Sequence, residues 1–142
     1  MIKCLAAVSV LSVLAFTPAA FAQARKANTT VYDLTVTAEG KPYTGTMTLA
    51  VAGGKVTGDM HITVPTEITG KVAGTAKGGQ LNLDFAYRMV ERGCEGQIAM
   101  PLTLPAKKSV APITTTATIA ACGEPQNKIT GAVELKPKTA KK

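Results

Sequence analysis

Tryptophan is absent from this chain, and histidine occurs once, as His61. Without Trp there is no Trp-lined pocket and little material for the aromatic girdles of a membrane barrel. With one His, the usual Ser/His/Asp constellation has no visible set, and no G-x-S-x-G is present. His61 lies two residues from Asp59 on the same strand face, which reads as a solvated pair. Two ligands are too few for a convincing transition-metal site. No CxxC or Cys/His spacing points to zinc or to redox chemistry. No Gly-rich loop opens a helix, so no phosphate cradle is expected. Past residue 22 no apolar stretch has the 3.6-residue period of a helix. The charged group Asp84, Arg88, Glu91, Arg92 and Glu95 reads as surface ion pairing. These absences predict a non-catalytic protein with no cofactor and no metal.

The ends of the chain are distinctive. Lys3, the apolar run "CLAAVSVLSVLAF" and "AFA" at positions 20–22 carry the parts of a secretory signal peptide. The run is too short for a stable membrane span, which needs about 20 apolar residues. Cleavage is expected after Ala22, so residues 1–22 are read as signal and 23–29 as a basic N-terminal segment. One domain covers 30–135, and 136–142 form a basic, disordered tail. An exported chain of this kind is expected in the periplasm or secreted. The net charge is +7, yet residues 27–135 are formally neutral. Apart from Lys3 in the expected signal, the excess sits in Arg25 and Lys26 at the front and in Lys136, Lys138, Lys141 and Lys142 at the back. A basic stripe interleaved with aromatics is missing, which argues against nucleic acid.

One phrase recurs in what remains. "YTGTMTL" opens at Tyr43, "VTGDMHI" at Val56, "ITGKVAG" at Ile68, "CEGQIAM" at Cys94 and "ITGAVEL" at Ile129. Each alternates apolar with polar residues, the mark of a half-buried strand. "TVYDLTV", "QLNLDFAYRM" and "ITTTATIA" alternate in the same way, which makes eight strands. Turn signals "EGKP", "GGK", "KGGQ" and "EPQNK" fall between them. The expected fold is all-β: an antiparallel meander of about eight short strands, closed or partly closed into an up-and-down barrel. A β-sandwich is the alternative. The glycine always falls on the apolar face, where a strand bends or another backbone comes close. A strongly curved sheet needs such points. The strands are mostly shorter than the 9–11 residues of a membrane barrel, so no transmembrane barrel is expected.

Losing Cys4 with the signal leaves Cys94 and Cys122, which an oxidising compartment pairs. Pairing them in the hairpin around "PAKKSVAP" sets a register one residue away from the best apolar alignment, which puts Ile98 opposite Ala117. A β-bulge near Ala120 or Ala121 reconciles the two.

Eight-stranded barrels hold one small ligand or fill with side chains. A small apolar ligand lined by Tyr43, Met47, Met60, Phe85 and Tyr87 is the first expectation, alongside a role as an interaction scaffold in the cell envelope. Glycines on the same face leave space, so Gly58→Leu is expected to fill the pocket. The alternative is a surface protein whose Lys136, Lys138, Lys141 and Lys142 contact anionic envelope polymers or lipid headgroups.

Overall fold

The computed structural model describes residues 28–107 and 109–139. The expected signal peptide and most of the basic N-terminal segment lie outside these residues. Eight strands follow one another: β1 (Asn28–Ala38), β2 (Lys41–Ala52), β3 (Lys55–Val64), β4 (Ile68–Lys77), β5 (Gln80–Met89), β6 (Cys94–Thr103), β7 (Ile113–Ala121) and β8 (Glu124–Pro137). Each pairs with its neighbour in sequence, and β8 closes on β1 through Leu34↔Leu135 and its neighbours. The result is a closed eight-stranded antiparallel barrel.

Alternation drives this arrangement. Along β5 every second residue is buried, from Leu81 through Leu83 and Phe85 to Tyr87. The residues between them are exposed. Apolar side chains therefore point into the barrel, and Thr, Asp, Lys and Arg point out. Three hairpins turn on two residues with positive φ, namely Glu39–Gly40, Gly53–Gly54 and Gly78–Gly79. That is the geometry of type I′ turns, whose twist matches that of the strands.

At Gly45, Gly58 and Gly70 the recurring glycine has its predicted role of letting another backbone come close. At Gly58 a Cβ would fall on the carbonyl of Thr48 in the adjacent strand. The chains approach so closely there because the sheet is bent into a narrow barrel. Gly58→Leu is therefore no pocket-filling change. It would push β2 and β3 apart.

Two boundaries differ from expectation. The strands run to 9–14 residues, and all but β5, which matches its phrase, are longer than the alternating phrases alone. A closed barrel pairs strand ends that carry no apolar signal of their own. β8 also takes in Lys136, opposite Asp33, and the Lys138 N–H donates to the Val31 carbonyl at 2.9 Å. The barrel thus extends two residues into the stretch read as a disordered tail. Lys141 and Lys142 lie outside the described residues.

The β6–β7 seam has the shortest ladder, with partners Gln97↔Ala120, Ile98↔Ile119 and Ala99↔Thr118. Ile98 faces Ile119, two residues on from the expected Ala117. A slip of two leaves every side chain on its own face, so alternation cannot distinguish these registers. Nearer the Cys94–Cys122 disulfide, the Gly123 N–H donates to the Glu95 carbonyl at 2.9 Å. That contact belongs to a register one residue further along. The regular β6–β7 pairing thus ends at Ala120, close to where a bulge was expected. The β7–β8 ladder breaks at the same point, jumping from Ala120↔Lys128 to Ala121↔Glu124. In the other direction the ladder ends short of Pro101. The Thr115 hydroxyl donates to the Pro101 carbonyl at 2.6 Å, so this side of Pro101 faces β7. Proline has no N–H to continue the ladder there.

Candidate functional site

An up-and-down barrel has two ends. The connections after β1, β3, β5 and β7 lie at one, with the disulfide. The connections after β2, β4 and β6 lie at the other, together with Asn28 and Thr139.

The disulfide end is open. A cleft of about 120 Å³ lies inside its rim, lined by Val36, Ile62, Ile68, Met89, Ile98, Ile119 and Ile129, with Tyr43, Tyr87 and Glu39 as its polar groups. Below it the interior closes. A void of about 10 Å³ remains between Met60, Phe85, Met100 and their neighbours, roughly the room one water needs, with apolar walls that keep it dry. Further down, Met47, Leu81, Leu83, Leu102 and Leu135 are fully buried and fill the barrel.

Tyr87 shapes the cleft. It stands opposite Gly96 in β6, and its ring occupies the space a Cβ on Gly96 would need. Its hydroxyl reaches past β6 and donates to the Ala120 carbonyl in β7 at 2.8 Å. Ala120 is the last regularly paired residue before the ladder shifts. One side chain thus straps three strands and lies flat against the wall. Burial pushes the Tyr87 hydroxyl pKa above its ordinary value, and the nearby Tyr43 adds to the rise. Its proton stays on, so the bond to Ala120 holds at neutral pH.

The five residues expected to line a pocket separate into two groups. Tyr43 and Tyr87 are at the cleft. Met47, Met60 and Phe85 belong to the packed interior beneath it. Isoleucine is the commonest lining residue, five of the twelve, drawn from the half of the barrel next to the odd-numbered turns. A meander read to its ends would have brought these residues together. The lone histidine is on the outer face. Its Nε2 lies 3.2 Å from Glu67 Oε1, while Asp59 pairs with Lys71. His61 and Asp59 therefore have different partners. Lys138 Nζ lies 3.4 Å from Asp33 Oδ1.

No family model, no curated protein and no solved structure matches this chain.

Proposed function

We propose that this is a non-catalytic, exported barrel that holds a small apolar group in the cleft at its disulfide end. The carrying observation is the contrast within the interior: a cleft of about 120 Å³ with apolar walls above a filled barrel. An apolar cavity of about 150 Å³ is enough for benzene. A single ring or a short alkyl group is the fitting size. Burying roughly 150 Å² of such a ligand at about 25 cal/mol/Å² gives about 4 kcal/mol, a millimolar Kd. Tighter binding needs a ligand that continues past the rim and meets Glu39 and Tyr43.

Export is supported by the Cys94–Cys122 bond, which suits the oxidising periplasm or the extracellular space. A barrel that stays in water is supported by its outer face. Asp59, Lys71 and Asp84 are exposed along the strands, where a membrane barrel carries its apolar band. Among the described residues no helix is long and apolar enough to cross a membrane.

The test is native mass spectrometry of the oxidised protein purified from its own envelope. It is paired with Ala38→Phe, which projects a ring into the cleft from a half-exposed strand end. A small adduct lost on unfolding, and absent from the variant, is the expected result. A bare protein under gentle conditions, with wild type and variant taking up small aromatic probes equally, would sink the reading.

A further inference from the structure

The end opposite the cleft differs from it in charge as well as in packing. Lys55, Lys77, Lys107, Lys136 and Lys138 are exposed around it. Among the described residues, no Asp or Glu lies in its connections or in the last three residues of the strands that reach it; Glu134, fourth from the end of β8, is the nearest on that strand. Asp33 pairs with Lys138, and no carboxylate among the described residues pairs with the other four. The cleft end is close to balanced and slightly acidic, with Glu39, Glu67, Glu91, Glu95 and Glu124 against Lys41, Arg88, Arg92 and Lys128. A body that is neutral by sequence is therefore polarised along the barrel axis. The chain enters and leaves at the basic end, so Arg25, Lys26, Lys141 and Lys142 follow within a few residues of it in sequence.

One apolar feature shares this end. Val110, in the connection between β6 and β7, is 68% exposed, the most exposed large hydrophobic residue described. It lies three residues from Lys107. A polyanion in water offers nothing to an exposed valine. A bilayer does, because the apolar side chain enters the boundary between headgroups and acyl chains while lysines meet the phosphates.

We infer that the basic end docks on an anionic lipid surface, with Val110 at the contact and the cleft facing away from the membrane. The inference is independent of what the cleft holds. Each lysine brought to such a surface is worth about fivefold in partition. Lys55→Gln, Lys77→Gln and Lys107→Gln together should weaken binding about a hundredfold. These side chains are solvated and make no ion pair among the described residues, so the triple variant should melt like wild type.

The experiment is flotation of the protein, purified after expression of the full chain, with phosphatidylglycerol/phosphatidylcholine vesicles and with phosphatidylcholine alone. Salt-sensitive binding to the anionic vesicles is expected, lost in the triple variant, weakened by Val110→Ser and kept by Lys41→Gln/Arg92→Gln at the cleft end. Three results would overturn the assignment. The first is no binding to anionic vesicles. The second is binding that survives the triple substitution and disappears when residues 139–142 are removed. The third is a Val110→Ser variant that binds like wild type, with soluble polyphosphate bound as well as vesicles, which marks a general polyanion site.

Discussion

The two ends of the barrel are built from the same alternating strands, yet one is hollow and the other is solid. The difference lies in which apolar residues face inward. At the cleft end the commonest is isoleucine: Ile62, Ile68, Ile98, Ile119 and Ile129. At the basic end they are mostly leucine: Leu49, Leu81, Leu83, Leu102 and Leu135. Isoleucine branches at Cβ and keeps close to its own strand, with few rotamers. Leucine branches one atom further out and reaches the barrel axis. Tyr87, one of the two tyrosines at the mouth, is held flat against Gly96 by its bond to Ala120. Branching and one hydrogen bond leave space at the mouth without any loss of apolar character.

Four experiments would break or sharpen this contrast. The largest effect is expected from Gly58→Leu. The Cβ overlaps the Thr48 carbonyl, so β2 and β3 cannot stay paired. We expect a loss of at least ~3 kcal/mol, up to no folded protein at all. Wild-type circular dichroism and melting for this variant would contradict the close approach of the two strands.

Next comes the disulfide. Its 28-residue separation corresponds to about 3–4 kcal/mol of loop-closure stabilisation. Cys94→Ser/Cys122→Ser should lose that amount in a denaturant titration. Because the β6–β7 ladder is short, hydrogen exchange should speed up there first. Uniform acceleration around the barrel would show that the seam is not the weak one.

The direct comparison is truncation at each end. Leu83→Ala leaves a cavity in the solid half and should cost about 3 kcal/mol. Ile129→Ala borders a space that already exists and is half-exposed, so about 1 kcal/mol is expected. Equal losses would erase the distinction between plug and mouth.

The smallest effect is Tyr87→Phe, about 1 kcal/mol for the bond to Ala120, with a signature at high pH. Burial raises the folded-state pKa of Tyr87 and of Tyr32 above 10.0. Unfolded tyrosines ionise first as pH rises. The contribution of each is therefore complete below about pH 10 and declines as pH rises toward the raised folded value. Tyr87→Phe should make that decline shallower and leave the part due to Tyr32. An unchanged decline would mean that Tyr87 does not titrate late.

Much of the fold could be read from the chain. "YTGTMTL" and its relatives announce strands by period two, and the inward glycines announce tight curvature. An irregularity does fall at Ala120/Ala121, but it is in the β7–β8 ladder, whereas the mismatch of registers points to the β6–β7 hairpin. The absolute register was not legible, since pairing Ile98 with Ile119 or with Ala117 keeps the same faces. The cleft was only partly legible. Tyr43 and Tyr87 border the cleft, but Met47, Met60 and Phe85 were grouped with them because alternation gives depth across the wall and says nothing about height along the axis. The same gap concealed the sorting of charge. Lys55, Lys77 and Lys107 are far apart in sequence and share an end only because alternate turns do.

The closure of β8 on β1 has a consequence for how the chain is cut and joined. Tyr32 is paired with Pro137, so the two ends of the barrel leave it as neighbours. Seven of the eight seams join strands adjacent in sequence, and the eighth joins the ends. A short linker from Thr139 to Asn28, with a new start cut at Gly78–Gly79, would preserve every pairing in a circular permutant. In that permutant the β4–β5 seam would become the one that must find its partner across nearly the whole chain. The slow step of folding, if it is this long-range search, would move with the cut while the finished barrel stayed the same.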